Sequence, residues 1–83
     1  KAKYERYVRL SNTYRDEDKM HELMDNLSKR AYKQLEMLMA FYVLGGTVDN
    51  DVLASDLLKK SNASSSILSS LVEKGVFETY QKR

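Results

Sequence analysis

Apolar and polar positions along the chain follow two periods. From Lys1 to Leu10 charged residues alternate with aromatic and β-branched ones. Lys3, Glu5, Tyr7 and Arg9 share one face of an extended chain, and Tyr4, Arg6, Val8 and Leu10 the other. A period of two predicts a strand. After a turn over Ser11–Arg15 the period lengthens. Met20, Leu23, Met24 and Leu27 recur at i, i+3, i+4 and i+7, one apolar face of a helix from about Asp16 to Ser28. Asp16 is its candidate N-cap, and the acids Glu17 and Asp18 suit the positive end of the helix dipole.

A second helix is predicted from Arg30 to Leu44. Leu35, Leu38, Met39 and Tyr42 form one stripe, and Met37, Phe41 and Leu44 a neighbouring one, so this helix is expected to be central and buried on most sides. Gly45-Gly46 stops it, and Thr47 and Val48 are extended. Asp49 or Asn50 caps a third helix reaching Lys60, with Val52, Leu53, Leu57 and Leu58 inward. Asn62, Ala63 and Ser64 turn the chain into a fourth helix, Ser64–Lys74, whose core face is Ile67, Leu68, Leu71 and Val72. Gly75 ends it. Val76–Tyr80 is a strand, and Gln81-Lys82-Arg83 its basic tail.

Composition narrows the classes this pattern can serve. Eighty-three residues make a single domain, 1–83, which buries only about 60–65% of its unfolded surface. Hydrophobic content of 42% against 31% charged is globular and not disordered. The absence of cysteine excludes disulfides and thiolate metal sites, and a lone histidine, His21, argues against a histidine zinc site. No apolar run approaches the ~20 residues that span a bilayer. A net charge of +2 permits nucleic-acid binding without demanding it. The basic residues lean toward the first part of the chain: Lys1–Lys33 hold nine against six acids, Gln34–Arg83 five against six. The chain starts at lysine and shows no signal peptide, which reads as a domain excised from a longer cytoplasmic protein.

The order from Arg30 onward is informative. A buried helix, an extended step, two helices joined by a tight turn, a glycine and a strand make an α+β winged helix, a helix-turn-helix core that carries a small antiparallel β-hairpin. The usual second wing strand is missing after Tyr80. A lone strand leaves its ladder groups unpaired, so Tyr4–Leu10 is expected to pair antiparallel with Val76–Tyr80, giving a permuted winged helix.

Three segments carry a family resemblance. Leu27-Ser28-Lys29-Arg30-Ala31-Tyr32-Lys33-Gln34, followed by Leu35-Glu36-Met37-Leu38, resembles the motif opening the winged-helix domain of the primosomal replication-restart helicases (primosomal protein N-prime). Ser64 through Gly75 resembles the closing helix of that domain, and Tyr7-Val8-Arg9-Leu10 the strand that enters it from a preceding 3′-end-binding domain. Tyr32 stands where members often carry proline, which a helix start tolerates but does not need. The resemblance implies a bacterial, cytoplasmic protein that recognises abandoned forks, unwinds DNA with ATP in the 3′-to-5′ direction and helps reload the replicative helicase. It implies fork DNA, neighbouring domains of the parent helicase, other primosome proteins and single-stranded-DNA-binding protein as partners. ATP, magnesium and zinc belong to the parent's other domains. No phosphate-binding glycine loop occurs here, so this chain is expected to hold no cofactor and to have no ATPase activity of its own.

Candidate DNA contacts follow from charge and position. The fourth helix, which would enter the major groove, offers Ser64, Ser65, Ser66, Ser69, Ser70, Glu73 and Lys74 outside its core face. It has none of the arginine, asparagine or glutamine that reads bases bidentately. Ser64, Ser65, Ser69 and Lys74 suit sequence-neutral phosphate contact, although small serines serve equally as a soluble face. Lys29, Arg30 and Lys33, placed at the start of the second helix, oppose its dipole and so point to phosphate or a partner domain. Lys82 and Arg83 add a basic tail, while Lys59-Lys60 complement the end of the third helix. Among the tyrosines, Tyr14 and Tyr32 are the exposed candidates for stacking on bases.

Two rival uses remain open. One is a protein-interaction winged helix, which the thin basic content of the fourth helix favours. The other is a dimeric transcription regulator, which needs a base-reading helix this chain lacks; the domain is expected to be monomeric. A stand-alone enzyme fits least, since no nucleophile–base arrangement is apparent.

Overall fold

The computed structural model describes residues 5–82. β1 (Glu5–Leu10) leads through a 3-10 turn (Asn12–Arg15) into α1 (Glu17–Arg30), and α2 (Tyr32–Val43) follows after one residue. A two-residue strand, β2 (Val52–Leu53), precedes α3 (Ala54–Ser61); α4 (Ser65–Glu73) and β3 (Phe77–Lys82) complete the chain. The first four residues of the expected N-terminal strand, and Arg83, lie outside the described residues.

The expected pairing of the two chain ends is present. β1 and β3 run antiparallel in register from Glu5 opposite Lys82 to Leu10 opposite Phe77. The sheet holds a further strand: its order is β2-β1-β3, so β1 is central, with Tyr7 opposite Leu53 and Val8 opposite Val52 on its other side. Alternation sorts the faces. Val8 and Leu10 are buried. On the outer face Tyr7 stacks on Tyr80 with centroids 6.2 Å apart. Arg9 lies 5.4 Å over the Tyr80 ring and bridges Glu78 at 2.9 Å. Such cross-strand pairs fix register from the solvent side.

The third helix does not start at Asp49 or Asn50. The Thr47 hydroxyl accepts hydrogen bonds from the Asp49 and Asn50 amides at 3.1 and 3.0 Å, and Thr47 N–H donates to the Asn50 carbonyl at 3.0 Å. The groups that would open a helix there are spent on a threonine-capped turn. The extended step consequently falls at Val52–Leu53, where it adds to the sheet, and α3 begins at Ala54.

α1 starts where its sequence indicates: the Asp16 carboxylate accepts from Asp18 N–H at 2.9 Å. It ends later than expected, at Arg30. Ala31 (φ −149°, ψ 64°) breaks the helix, donating to Leu27 O at 2.8 Å while its own carbonyl accepts from Gln34 and Leu35. Tyr32 thus occupies the first turn of α2, the position proline tolerates.

Phe41, Phe77, Met37, Leu38, Leu57 and Leu71 fill the centre of the core, with the Phe41 and Phe77 rings 5.0 Å apart. α2 packs on α1, α3 and α4, yet it is less enclosed than its composition suggests. Met37, Leu38, Ala40 and Phe41 are buried, whereas Met39 and Tyr42, expected on a core stripe, are 51% and 36% exposed. With Tyr32 and Val43 they leave an apolar stripe on the outside of the helix. Three neighbours cover only part of a helix circumference. Val43→Lys should accordingly leave the melting temperature within a few degrees of wild type, because exposed substitutions cost within about 0.5 kcal/mol.

Two glycines have separate jobs. Gly75 (φ +81°) adopts the left-handed conformation that closes α4, and its N–H donates to Val72 O. Gly46 is needed for space: a Cβ there would lie 2.5 Å from the Phe41 ring.

Candidate nucleic-acid interface

α4 presents its core face through Leu68 and Leu71, with Ile67 and Val72 half-buried. Ser65, Ser66, Ser69 and Glu73 are exposed on its other side. Ser64 is the N-cap residue, but its hydroxyl pairs with that of Ser66 at 2.8 Å, and no side chain caps the helix. A nine-residue helix is about 13 Å long. Ser64 and Ser65 therefore sit a full helix length from Lys74, and the candidates divide into two groups.

The second group gathers where three helix ends meet. Lys74 follows α4 and donates from Nζ to Gln34 Oε1 at 2.7 Å, which ties it to the first turn of α2. Lys33 precedes that glutamine and is exposed. Lys29 and Arg30 occupy the last turn of α1, not the start of α2 as the sequence pattern suggested. There they complement the negative end of the α1 dipole; Lys33 alone stands at the positive end of a helix, where helix stability does not explain a cation. Lys29 is also engaged by Asp25 at 3.2 Å, an exposed i, i+4 pair. The Arg30 guanidinium makes no ion pair among the described residues. Arg30 and Lys74 line one cleft of about 430 Å³ with Tyr14, Leu23, Asn26, Leu27 and Val76. No carboxylate lines it.

Sequence reasoning named Arg30, Lys74 and Tyr14 separately; their convergence and the share of Asn26 were not visible, because Lys74 and Gln34 are 40 residues apart. Tyr14 is half-buried against the core, while Tyr32 is open to solvent on the outer stripe of α2. Lys59 and Lys60 lie in the last turn of α3. Of Lys82 only the backbone is described, in β3, and Arg83 lies outside the described residues. His21 is exposed on α1, and no group of three or more His, Cys, Asp or Glu among the described residues could hold a metal ion. Burial raises the Tyr42 phenol above its usual pKa; this group lies away from the cleft.

A helix-turn-helix pair, α3 and α4, packed under a preceding helix and continued into a sheet strand, defines a winged-helix domain. The wing strand is paired with the start of the chain. Within that class the chain belongs to the family of winged-helix domains of the PriA helicase described for Bacteroidota, which matches residues 5–83. No curated protein and no solved structure matches it. The family is a domain of a helicase, and among the described residues no helix is long and apolar enough to cross a membrane.

Proposed function

We propose that this domain is a sequence-neutral DNA-binding module of a replication-restart helicase, holding the phosphate backbone of branched DNA and positioning the domains around it. The supporting observation is the meeting of Arg30 and Lys74 in one cleft whose lining holds no acid, with Lys74 tied to Gln34 in the first turn of α2, next in sequence to the exposed Lys33. Ser64, Ser65 and Ser69 on the exposed side of α4 give a second, uncharged set of phosphate donors. Gln81 and Lys82, expected as a tail beyond the strand, are the last residues of β3, paired with Arg6 and Glu5; Lys82 and Arg83 add basic charge at that end of the sequence. An α4 without base-reading side chains suits a protein that must read fork shape. The module works as a monomer in the bacterial cytoplasm, without a cofactor of its own. ATP turnover belongs to the parent helicase. Its partners are fork DNA, the neighbouring domains, other primosome proteins and single-stranded-DNA-binding protein.

The exposed Tyr32–Met39–Val43 stripe favours one companion reading, a docking face for a protein domain.

Fork-DNA titration at several salt concentrations tests the main reading. Three phosphate contacts give a log–log slope of about −3. Reversing Lys29, Arg30 and Lys33 to glutamate should weaken binding at least about tenfold and flatten that slope. Lys29 should contribute least, since Asp25 already engages it. Salt-independent binding overturns the phosphate reading; intact fork binding with loss of a protein partner favours the companion one.

A further inference from the structure

The Arg30–Lys74 cleft has features that backbone contact alone does not call for. It is a half-open cleft of about 430 Å³. Its walls are chemically divided. Arg30 and Lys74 supply cations, Asn26 an amide, Tyr14 an aromatic ring, and Leu23, Leu27 and Val76 an apolar floor. A groove along α1 opens from it, sharing Tyr14, Leu23 and Asn26 and continuing to Thr13, Lys19 and Glu22. Glu73, the acid next to Lys74 in the chain, lines a different cleft with Arg6 and Thr79.

We infer that this cleft receives an unpaired nucleotide of a single strand: phosphate on Arg30 and Lys74, base against Tyr14, and a base edge within reach of the Asn26 amide. In the adjoining groove Lys19 offers the next phosphate a cation, while Glu22 on the same groove opposes it. Single-strand sites combine cations that track the backbone with aromatic rings on which bases stack. A paired base reaches such a cleft only by extrusion, which costs its stacking and pairing; an unpaired base has no pair to break and less stacking to lose. The cleft therefore distinguishes single strand from duplex, whereas the exposed Lys33 outside it does not. This inference deepens the DNA-binding reading and rests on it for the shared cations.

Fluorescence anisotropy of the 83-residue domain with labelled oligothymidine, and with a blunt duplex of equal length, separates the two. Tyr14→Leu, which keeps an apolar side chain against the core, should weaken oligothymidine binding about fivefold or more and leave duplex binding unchanged. Asn26→Ala, at an exposed helix position that does not threaten folding, should weaken the same ligand in the same direction. Arg30→Gln should weaken both ligands. The inference is overturned if wild type binds duplex but not oligothymidine, or if Tyr14→Leu and Asn26→Ala leave single-strand affinity unchanged. Oligothymidine binding in a domain that ignores duplex would instead sink the backbone reading and leave the cleft assignment standing. Free thymidine monophosphate competing as well as the oligonucleotide would show a mononucleotide pocket and overturn the single-strand assignment.

Discussion

A chain that begins at Ser11 should fail to fold. Removing residues 1–10 takes away the central strand of the sheet, so β2 and β3 lose their shared partner and expose two unsatisfied edges. It also removes Val8 and Leu10, exposed by only 0% and 2%. Burial of two such side chains contributes about 1.5–3 kcal/mol each. At ~0.05–0.15 kcal/mol per residue, a domain of this size has a total stability of only about 4–12 kcal/mol. The loss, with the ladder hydrogen bonds added, is of the same order as everything available. Circular dichroism should show no cooperative thermal transition in the truncated chain. A synthetic peptide of residues 1–10 added in trans should restore one, with a midpoint that rises with peptide concentration. A cooperative transition in the truncated chain alone would show that the helices are self-sufficient.

Gly46→Ala is expected to be the most damaging single-methyl addition. Gly46 is buried, and the new carbon would stand 2.5 Å from two atoms of the Phe41 ring. That ring is fully buried and lies 5.0 Å from Phe77 and 6.0 Å from Tyr42, so it has little room to yield. Overpacking of this kind costs about 1–3 kcal/mol. For a domain this small that lowers the melting temperature by roughly 4–8 °C per kcal/mol. Gly46 does not have a positive φ, so the backbone accepts alanine and the cost is steric alone. Phe41→Leu leaves a cavity of its own, but the double variant should lose less than the sum of the two single losses. Strict additivity would show that the two side chains do not compete for one space.

Much of the fold was legible because several cues agreed locally. α1 announced itself through Asp16 and the Met20–Leu27 stripe, and α4 through its apolar face and Gly75. The β1–β3 pairing followed from a wing strand with no other partner. The failures share a cause, since each depended on contacts distant in sequence or on a break without a breaker. Ala31 ends α1 with no glycine or proline to mark it, and so Lys29 and Arg30 were assigned to the wrong helix. β2 is two residues long, below any detectable period, and exists because β1 offers it an open edge. The outward position of Met39 depends on how many elements surround α2, which hydropathy does not record. At the candidate interface, residue types were legible and their meeting was not: Tyr14, Asn26, Arg30 and Lys74 come from three parts of the chain.

The pairing of Glu5 with Lys82 has a mechanical consequence. Opposed residues of an antiparallel ladder lie about 5 Å apart, so the two ends of the domain leave from the same point. Flanking polypeptide joined there would enter and exit side by side, and the domain would hang as a pendant able to swivel without changing the span between its neighbours. Tension between those flanks would load the ladder at its terminal pair and peel it open one rung at a time, instead of shearing all rungs together. Such a joint permits rotation and is weak against pulling.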